Sequence, residues 1–419
     1  MSFETISVIG LGYIGLPTAA MFASRKKKVI GVDVNQNAVD TINRGEIHIV
    51  EPELDMIVHA AVTEGYLKAT TTPEAADAFL IAVPTPFKNN DSEIPEPDLA
   101  YIEAASKAIA PVLKKGDLVI LESTSPVGAT EQMAEWLAAA RTDLTFPKMH
   151  GENSDIRIAH CPERVLPGHV VRELVENDRV IGGMTSKCSE AAIELYKNFV
   201  EGECVTTNAR TAEMAKLTEN SCRDVQIAFA NELSIICDKL DIDVWELISL
   251  ANRHPRINIL QPGPGVGGHC IAVDPWFIVS KTPEEAQIIH TARKVNDAKP
   301  EWVINKVKLA ISDFLLENPT KAAQDVTVAC YGLSFKPDID DLRESPALNI
   351  TKSIVNMHSG KVVAVEPNVS ELPISLKDLT LVDFDTGVKA DIHVLLVDHK
   401  EFKLSTIDSK YLVDTKGIW

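Results

Sequence analysis

The chain lacks the cysteine pairs by which disulfide-bonded and zinc-binding proteins are recognised. Its 419 residues include 7 cysteines, an odd number, and no CxxC pair is present. Scattered, unpaired thiols are typical of a reduced protein, because disulfides are rare in the cytoplasm. We therefore expect a cytoplasmic protein without a disulfide framework.

Positive charge and long apolar runs are also scarce. Lys and Arg number 41 against 60 Asp and Glu, which gives a formal net charge of −19. Nucleic acids and anionic membranes bind through basic surfaces, so neither is expected as a partner. A small anionic ligand remains compatible with this charge, since it needs only a few local Arg and Lys side chains.

No targeting or membrane segment is expected. The chain has no stretch of ~18 apolar residues, the length of a membrane-spanning helix. The apolar run at residues 6–16 has no basic residue before it, contains three glycines and ends at Pro17. A signal peptide has a basic start and a continuous apolar core, so this run does not fit one.

The composition is that of a folded protein with several domains. Hydrophobic residues make up 45% of the chain and charged residues 24%, which is ordinary for globular proteins. At roughly 100–200 residues per domain, the length predicts two or three domains.

The first part of the chain alternates apolar strands with helical segments. Residues 5–9 predict a buried strand, residues 15–23 a helix of small residues, and residues 29–33 a second strand that ends in Asp33. This order is a βαβ unit. Further strands are predicted at residues 78–83, 118–121 and 157–160. The alternation predicts a parallel sheet covered on both faces.

The second half changes character and then returns to the first pattern. Residues 211–251 lack Gly and Pro and predict one long helix or two in succession. A Pro- and Gly-rich segment follows at residues 255–268, and another helix is predicted at residues 284–314. Strands are predicted again at residues 326–331, 361–365, 393–397 and 411–413. Two pairs of segments resemble each other, residues 29–33 with 362–366 and residues 79–83 with 393–397.

These patterns predict an α/β protein with two doubly wound, Rossmann-like parallel-sheet domains joined by a central long-helix region. The expected boundaries are residues 1–205 for an N-terminal dinucleotide-binding domain, 206–315 for the central helical region and 316–419 for a C-terminal α/β domain.

The turn after the first predicted strand is a GxGxxG sequence, Gly10-Leu11-Gly12-Tyr13-Ile14-Gly15. It follows a strand, opens a helix and precedes the strand-end acid Asp33, which together favour a dinucleotide site over a glycine turn that binds nothing. Gly10 permits the tight turn, Gly12 lets the pyrophosphate approach and Gly15 lets helix and strand pack. The helix N-terminus then favours the phosphates.

Asp33 indicates which dinucleotide is bound. Its carboxylate should accept hydrogen bonds from the ribose hydroxyls and repel a 2′-phosphate, and no Arg follows in residues 34–37. NAD is therefore expected rather than NADP. Two later strand ends, Pro84-Thr85-Pro86 and Ser123-Thr124-Ser125-Pro126, are expected to present loops to the cofactor.

Cys270 is the candidate nucleophile. It follows Gly265-Val266-Gly267-Gly268-His269, and glycines beside a cysteine let a reacting carbon approach while backbone N–H groups hold an oxyanion. For the other six cysteines, a small buried hydrophobe is the preferred interpretation. A zinc site built from His160-Cys161 and His269-Cys270 is disfavoured because adjacent residues rarely converge on one ion, so no metal is expected.

A polar stripe is predicted on the long helix. Glu213, Lys216, Asn220 and Arg223 recur at spacings of three and four and so share one face. Such a stripe can be solvated surface. Lys and Asn among small and apolar residues favour a confined site instead, in which Lys216 could exchange a proton or stabilise an alkoxide.

Together these motifs resemble those of the UDP-glucose/GDP-mannose dehydrogenase family over essentially the whole chain. The matching segments are residues 10–15, Ser123-Thr124-Ser125-Pro126-Val127-Gly128, Cys161-Pro162-Glu163-Arg164, Glu213-Met214-Ala215-Lys216 with Asn220, Gly267-Gly268-His269-Cys270 with Asp274, and Phe335-Lys336-Pro337-Asp338 with Asp341-Leu342-Arg343-Glu344-Ser345. His269 before the cysteine and Ile271-Ala272-Val273 after it depart from the UDP-glucose enzymes. This departure resembles the branch that acts on N-acetylated UDP-sugars. Pro337 replaces a second Lys that is common in the UDP-glucose enzymes, so substrate contacts there stay open.

The resemblance implies an enzyme that oxidises a primary alcohol of a UDP-sugar twice without releasing the aldehyde. Cys270 would capture the aldehyde as a thiohemiacetal and then be acylated as a thioester, which water hydrolyses. Lys216 would assist the first deprotonation or hold the alkoxide. The other implied catalytic residues are Asn220 and Asp274, which orient water, and Thr124 and Glu163, which support the site.

The implied substrate is UDP-N-acetyl-D-mannosamine, and the product is UDP-N-acetyl-D-mannosaminuronate for enterobacterial common antigen. UDP-N-acetylglucosamine and UDP-glucose are the alternatives, because motif spacing does not select one sugar. A non-catalytic dinucleotide sensor would be expected to have lost Cys270, Lys216, Asn220 and Asp274, and all four are present. A β-hydroxyacid dehydrogenase would need neither Cys270 nor residues 320–419.

The resemblance also implies binding residues and a partner. NAD would be held by the glycine turn and by Tyr13, Ile14, Asp33, Thr85, Thr124 and Arg343. The UDP-sugar would contact Arg164, Val165, Lys216, Asn220, Arg223, His254, Arg256, Gly267, Lys336 and Lys416, whose cations offset the diphosphate charge. Pairing of family members through the central helix implies a homodimer, in which His254 and Arg256 reach across to the neighbouring subunit.

Overall fold

The computed structural model describes residues 3–49, 51–89, 92–166, 168–268, 270–372, 376 and 379–419. The chain divides into two compact units. The first unit consists of Met1–Glu219 and Trp276–Thr282, and the second of Asn220–Pro275 and Pro283–Trp419. Within the described ranges, every helix is too short or too polar to cross a membrane.

The first unit is built on eight strands. They are β1 (Thr5–Ile9), β2 (Lys28–Val32), β3 (Leu67–Thr70), β4 (Ala78–Ile81), β5 (Leu118–Leu121), β6 (Arg157–His160), β7 (Arg179–Gly183) and β8 (Cys204–Asn208). Its helices are α1 (Gly15–Ser24), α2 (Gln36–Asn43), α3 (Leu54–Thr63), α4 (Ala100–Ile109), α5 (Ala129–Ala140), α6 (Pro147–His150), α7 (Val170–Glu176) and α8 (Ser186–Tyr196).

The remaining elements belong wholly or partly to the second unit. The helices are α9 (Ala209–Leu240), α10 (Val244–Ala251), α11 (Asp274–Lys281), α12 (Gln287–Glu317), α13 (Pro346–Met357) and α14 (Phe384–Gly387), of which α9 and α11 begin in one unit and end in the other. The strands are β9 (Val328–Tyr331), β10 (Val362–Val365), β11 (Thr380–Leu381), β12 (Ile392–Leu395) and β13 (Leu412–Asp414).

The sheet of the first unit has the strand order β3-β2-β1-β4-β5-β6-β7-β8. Its first six strands are parallel and follow the order of a dinucleotide-binding fold. The chain reverses its direction of travel across the sheet between β1 and β4. In such folds the ligand binds outside the carboxyl ends of the strands at this switch point. The predicted glycine turn leaves β1 there.

Both faces of this sheet are covered, as the sequence predicts. Alternate strand residues point to opposite faces. Ile6 and Val8 join one apolar cluster with α1, α3 and α8, whereas Ile9 and Ile81 join a second cluster with α4 and α5. The two-sided core explains why these strands read as continuous apolar runs rather than as alternating patterns.

The far edge of the sheet departs from the predicted parallel arrangement. β7 is antiparallel to β6 and parallel to β8. Glu163, which follows β6, accepts a hydrogen bond from Arg179, the first residue of β7 (2.7 Å). The chain therefore enters β7 from the edge at which β6 ended, whereas a parallel neighbour needs a crossover to the opposite edge. β3, β7 and β8 were not predicted from the sequence.

The second unit contains a smaller sheet with the order β11-β10-β9-β12-β13, and all its strands are parallel. β9, β10, β12 and β13 confirm the strands predicted at the C-terminal end. β11, with two residues, was missed. Two apolar clusters again cover opposite faces, so the α/β fold class with two doubly wound domains and intervening helices is confirmed.

The segments that resemble each other in sequence have the same structure in both units. Gly10 follows β1 with φ +91°, and its N–H donates to the Val32 carbonyl (2.8 Å). Gly332 follows β9 with φ +83°, and its N–H donates to the Val365 carbonyl (2.9 Å). Both turns need the left-handed backbone that glycine adopts without strain.

The acids at the ends of the second strands also correspond. The Asp33 carboxylate accepts the Leu11 N–H (2.8 Å), and the Glu366 carboxylate accepts the Leu333 N–H (2.7 Å). Each acid therefore closes the glycine turn that precedes it. The repeat suggested by the sequence is thus a repeat of hydrogen-bonding pattern.

The long Gly- and Pro-free segment forms two helices in succession, α9 and α10. Helix α10 begins after Asp243, which is its N-cap. The Asp243 carboxylate accepts the N–H groups of Trp245 (2.8 Å) and Glu246 (3.1 Å). In the second unit, α9 contacts α12 through the buried pair Arg293 and Asp224 (2.5 Å).

The turn at Gly332 offers a test of the fold. A Cβ at Gly332 would overlap Val397, whereas a Cβ at Gly65, whose φ is +78°, would meet open space. Gly332→Ala should therefore lower stability by about 1–3 kcal/mol more than Gly65→Ala, because overlap adds to the backbone strain that both share. Thermal melting measures this difference, expected at about 2–4 °C per kcal/mol. Equal melting temperatures for the two variants would contradict the close packing of this turn.

Candidate active site

The glycine turn of the first unit has the shape of a phosphate-binding loop. A Cβ at Gly10 would lie 2.5 Å from the Ala82 carbonyl oxygen, and one at Gly15 would overlap the Gly10 carbonyl. A Cβ at Gly12 would instead point into open space. The first and third glycines are therefore needed for packing, and Gly12 leaves room for a ligand to reach the backbone.

Helix α1 begins directly after this turn. Ile14 is its N-cap and makes no capping hydrogen bond through its side chain. The first N–H groups of a helix have no partner within the helix, and the dipole of the helix favours negative charge there. Tyr13 and Ile14, the predicted cofactor residues, are half-buried beside these groups.

Asp33 is half-buried at the end of β2. One carboxylate oxygen accepts the Leu11 N–H (2.8 Å) and the other accepts the Asn35 N–H (2.9 Å). These bonds fix the carboxylate against the glycine turn. Because each oxygen has a second lone pair, the carboxylate can still accept hydrogen bonds from the ribose hydroxyls.

Two buried hydroxyl groups on neighbouring loops fit a bound dinucleotide. The Thr85 Oγ1 after β4 and the Ser125 Oγ after β5 have no hydrogen-bond partner in the part of the chain that the structure describes. A buried polar group without a partner is costly, so native proteins rarely leave one unsatisfied. A ligand at the carboxyl ends of β1, β4 and β5 would supply such partners. The residues present therefore fit NAD.

Glu213 has a role that sequence reasoning missed. Its side chain is buried and accepts the N–H groups of Gly128 (2.6 Å) and Thr130 (2.8 Å) and the Thr130 hydroxyl (2.6 Å). Burial raises the pKa of the Glu213 carboxyl, and these hydrogen bonds oppose the rise. Glu213 thus caps α5 from α9 and fixes the loop that carries Thr124. The stripe spacing could not reveal this, because the partner lies about 85 positions earlier.

Lys216 and Asn220 lie one turn apart on α9, so they share a side of that helix as predicted. Both are half-buried. Arg223, one position further along the predicted stripe, is exposed. Burial therefore varies along the stripe, from the buried Glu213 to the exposed Arg223.

Glu163 and Arg164 follow β6 and have different surroundings. Glu163 is 9% exposed and bonds to Arg179 (2.7 Å). Arg164 forms an ion pair with Glu219 (2.7 Å). Val165, a predicted substrate contact, packs against the apolar core of the first unit.

Cys270 lies on an exposed turn immediately before α11. Its carbonyl accepts the N–H groups of Val273 (3.1 Å) and Asp274 (2.9 Å), which closes the turn. Cys270 thus precedes the first residue of α11 by four positions, and negative charge is favoured at the N-terminal end of a helix. The preceding His269 lies outside the described residues.

Asn220 and Asp274 are brought together in the second unit. The Asn220 side-chain amide donates to an Asp274 carboxylate oxygen (2.5 Å), although the two lie 54 positions apart. Asp274 is 3% exposed. The structure therefore places a buried, oriented carboxylate four residues after Cys270.

The glycine segment before Cys270 is tightly packed. A Cβ at Gly267 would lie 2.6 Å from the Glu344 carbonyl oxygen and 2.6 Å from Pro346. Earlier in the same segment, the Gly263 N–H donates to the buried Asn231 side chain (2.9 Å). Gly267 is thus required by its neighbours, and the segment is held to both α9 and the loop after β9.

The predicted substrate residues of the C-terminal sheet lie on loops near its carboxyl edge. Lys336 is exposed on the loop after β9. Lys416 forms an ion pair with Asp398 (3.0 Å) on the loop after β12. Arg343, predicted to reach the cofactor, pairs here with Asp341 (2.5 Å).

A buried network supports the Lys336 loop. Although burial opposes ionisation of Glu366, hydrogen bonds from His399 and from the Leu333 and Asn368 N–H groups lower the pKa of its carboxyl. His399 is fully buried, and its Nε2 lies 3.1 Å from Glu366. Its Nδ1 accepts the Asp338 N–H (2.9 Å). Sequence reasoning missed Glu366 and His399, although the strand-end acid was visible in the internal resemblance.

Two other predicted substrate residues, His254 and Arg256, are exposed after α10.

The His160-Cys161 pair, considered above as a possible zinc site, is fully buried. Burial lowers the pKa of His160 to about 3 and raises the pKa of the Cys161 thiol. Across the described residues no cluster of three or more His, Cys, Asp or Glu could hold a metal ion.

Comparison with known proteins adds to this geometry. Three domain models of the UDP-glucose/GDP-mannose dehydrogenase family match the chain: the NAD binding domain over residues 4–200, the central domain over residues 210–298 and the UDP binding domain over residues 329–419.

Curated relatives and solved structures agree. The chain is 68% identical to the UDP-N-acetyl-D-mannosamine dehydrogenase of Yersinia pestis, covering 100% of both chains. It is 64% identical to the NDP-N-acetyl-D-galactosaminuronic acid dehydrogenase of Ralstonia nicotianae, covering 100% of this chain and 97% of the relative. The structure of the UDP-D-ManNAc dehydrogenase of Pyrococcus horikoshii matches with a TM-score of 0.86 at 38% identity, over 99% of this chain and 96% of that one. The chain therefore belongs to the UDP-glucose/GDP-mannose dehydrogenase family of NAD-dependent enzymes that oxidise nucleotide sugars.

Proposed function

We propose that this enzyme oxidises the primary alcohol of UDP-N-acetyl-D-mannosamine to the carboxylate of UDP-N-acetyl-D-mannosaminuronate, in two steps and without releasing the aldehyde. The observation that carries this proposal is the bonded pair Asn220 and Asp274 beside the turn of Cys270. That arrangement suits a thioester hydrolysed in place, which a one-step alcohol dehydrogenase would not need. The full-length relative named for this substrate supports the choice of sugar.

NAD⁺ would be the hydride acceptor of both oxidations, so two molecules of it would be consumed in each turnover. The residues that would hold it are the glycine turn, Asp33 and the hydroxyls of Thr85 and Ser125. Asp33 would bind the ribose, and α1 would favour the pyrophosphate through its N-terminus.

Lys216 would serve the first oxidation. Removal of hydride from an alcohol carbon requires that the hydroxyl lose its proton. A half-buried ammonium on α9 can hold the developing alkoxide, or its neutral form can accept the proton. Thr124, on the loop that Glu213 fixes, would hold the same region in place.

Cys270 would serve the second oxidation. Its sulfur adds to the aldehyde carbon and the thiol proton passes to the aldehyde oxygen, which gives a thiohemiacetal. That carbon can now lose hydride, and the hydroxyl loses its proton as the thioester forms. The N-terminal end of α11 favours the negative charge that develops at this turn.

Asn220, Asp274 and Glu163 would serve the hydrolysis. Water adds to the thioester carbonyl, the C–S bond breaks, and the thiol of Cys270 is restored as the carboxylate leaves. Asp274 is buried and its oxygen is oriented by the Asn220 amide, so the pair can align the attacking water. Glu163 would have a supporting role in catalysis, as the family resemblance implies.

The cations would offset the charge of the diphosphate. Lys336 and Lys416 lie on loops of the C-terminal sheet, and Arg164 lies after β6. Such local cations let a chain with a net charge of −19 bind an anion. Use of the uronate for enterobacterial common antigen stays a prediction from the resemblance, and a cytoplasmic location stays a prediction from the scattered cysteines.

We also propose a homodimer that pairs through the central helices. Phe229, Ile236 and Leu240 of α9 are 52%, 44% and 61% exposed and recur at spacings of seven and four, so they form one apolar face. Leu250 of α10 adds a further exposed apolar side chain (59%). Apolar faces of this kind are usually covered by a partner.

The sugar preference tests the proposed function. With UDP-N-acetyl-D-mannosamine we expect two NADH per uronate formed, and slower turnover of UDP-N-acetylglucosamine and UDP-glucose. Absorbance at the NADH band, with the product identified by mass, measures both. One NADH per sugar with aldehyde accumulating would rule out the two-step mechanism, and faster turnover of either competing sugar would overturn the proposed substrate.

Loss of the thiol tests the role of Cys270. Cys270→Ala should lower uronate formation on the order of 10³-fold or more, because no thioester can form. Cys222→Ser is the control, since Cys222 has no role in the mechanism and is exposed on the polar helix α9, so the expectation that it is buried was wrong. Undiminished uronate formation by Cys270→Ala would disprove covalent capture.

A charge on the apolar face tests the dimer. Leu240→Glu should shift the protein from dimer to monomer in analytical ultracentrifugation, because a carboxylate buried in an apolar interface is costly. Leu404→Glu is the control, since Leu404 is even more exposed (88%) and lies far from α9 in sequence. A wild-type protein that sediments as a monomer would refute this pairing.

A further inference from the structure

Glu163 belongs to a buried cluster of charged side chains in the first unit. Glu122 follows β5, Glu163 follows β6 and Arg179 begins β7; their exposed fractions are 1%, 9% and 5%. Charged side chains are rarely so deeply buried unless they are paired. None of the proposed chemical steps uses Glu122 or Arg179.

Arg179 lies between the two carboxylates. One terminal nitrogen donates to the Glu163 Oε2 (2.7 Å), and the other lies 3.7 Å from the Glu122 Oε1. The guanidinium carbon lies 4.4 Å from the centre of the Tyr196 ring, so a cation–π contact fixes the third side of the group.

Both oxygens of Glu163 are thereby held. Oε2 accepts from Arg179, and Oε1 accepts the N–H of Arg164 (2.7 Å). A carboxylate bonded through both oxygens has a fixed plane. The contact also holds the end of β6 to the start of β7, where the sheet reverses direction.

The charge balance of the cluster explains why Arg179 pairs with Glu163 rather than with Glu122. Burial raises the pKa of Glu122 to about 7, with Arg179 opposing the rise and Glu163 adding to it. The Tyr196 hydroxyl donates to Glu122 (2.6 Å). Burial also raises the pKa of Tyr196 and of Cys161, the other titratable groups that face Glu122, so both stay neutral. Below this pKa Glu122 is protonated, and the single cation is then matched by Glu163 alone.

We propose that Arg179 is a positioning residue that fixes the orientation of the Glu163 carboxylate, and that Glu122 is the proton-carrying partner that leaves Arg179 free to do so. The inference rests on the proposed function in one respect, because it takes Glu163 as a member of the catalytic site. The alternative is a purely structural ion pair that joins three strands.

Substitution of Arg179 tests the positioning role. Arg179→Met removes the donor that holds the Glu163 Oε2. Misplacement of the carboxylate should lower kcat on the order of 10²-fold, with KM for both substrates within about threefold. Arg179→Lys, which retains the charge and a donor, should recover part of the lost kcat. A purely structural pair would lower the melting temperature while the kcat of the folded enzyme stayed within about threefold of the wild type.

Substitution of Glu122 keeps the test valid if the Arg179 variants fail to fold. Glu122→Gln is isosteric with the protonated acid. In the wild type, ionisation of Glu122 above pH 7 should draw Arg179 away from Glu163 and lower kcat with a midpoint near pH 7. That decline should be absent from Glu122→Gln and unchanged in the control Glu190→Gln, an exposed glutamate of α8.

A spectroscopic readout separates this inference from the proposed function. In infrared titration the wild type should show a protonated carboxyl band that is lost with a midpoint near pH 7, and Glu122→Gln should lack it. Absence of such a band in the wild type would overturn the inference whether or not the enzyme oxidises any nucleotide sugar. Presence of the band, together with identical kcat profiles for the wild type and Glu122→Gln, would also overturn it, because Glu122 would then not control Glu163.

Discussion

The first loop of each sheet depends on an equivalent hydrogen bond, which occurs once in each unit. In each unit a carboxylate at the end of the second strand accepts the N–H of the leucine after a left-handed glycine, Asp33 with Leu11 and Glu366 with Leu333. The bond ties the first loop of the sheet to the end of the neighbouring strand. A turn fixed in this way leaves the backbone at the carboxyl edge of the sheet open to a ligand, as binding of a nucleotide at a switch point requires.

The two acids have different surroundings. Asp33 remains half-buried, so its carboxylate is available to the cofactor. Glu366 is 5% exposed and is occupied by His399 and by backbone N–H groups, so it supports the loop of Lys336 rather than binding a ribose. Burial and these hydrogen bonds thus give Glu366 a structural role, although it occupies the position in its sheet that Asp33 occupies in the first.

Residues that hold the candidate catalytic groups are themselves buried charges with fixed partners. Glu213 caps α5 and so places the loop of Thr124, and Arg179 holds Glu163 from the reversed strand β7. Buried charges are expensive to leave unpaired, so each must be satisfied by specific atoms. Because each buried charge needs specific partner atoms, the residues that it holds have well-defined positions.

The sequence alone determined the features that local pattern encodes, namely the first strands, the glycine turn with Asp33 and the long helices, and its ordered motifs indicated the family. Strand period and turn chemistry are local, so residues within one segment are enough to predict them. Tertiary structure alone decided the antiparallel entry of β7 and the capping role of Glu213, whose partner Gly128 lies 85 positions earlier. The pairing of Asn220 with Asp274, which are 54 positions apart, was expected only from the family resemblance. Such contacts depend on how separate segments pack, and no local periodicity records which distant partner a buried polar side chain will find.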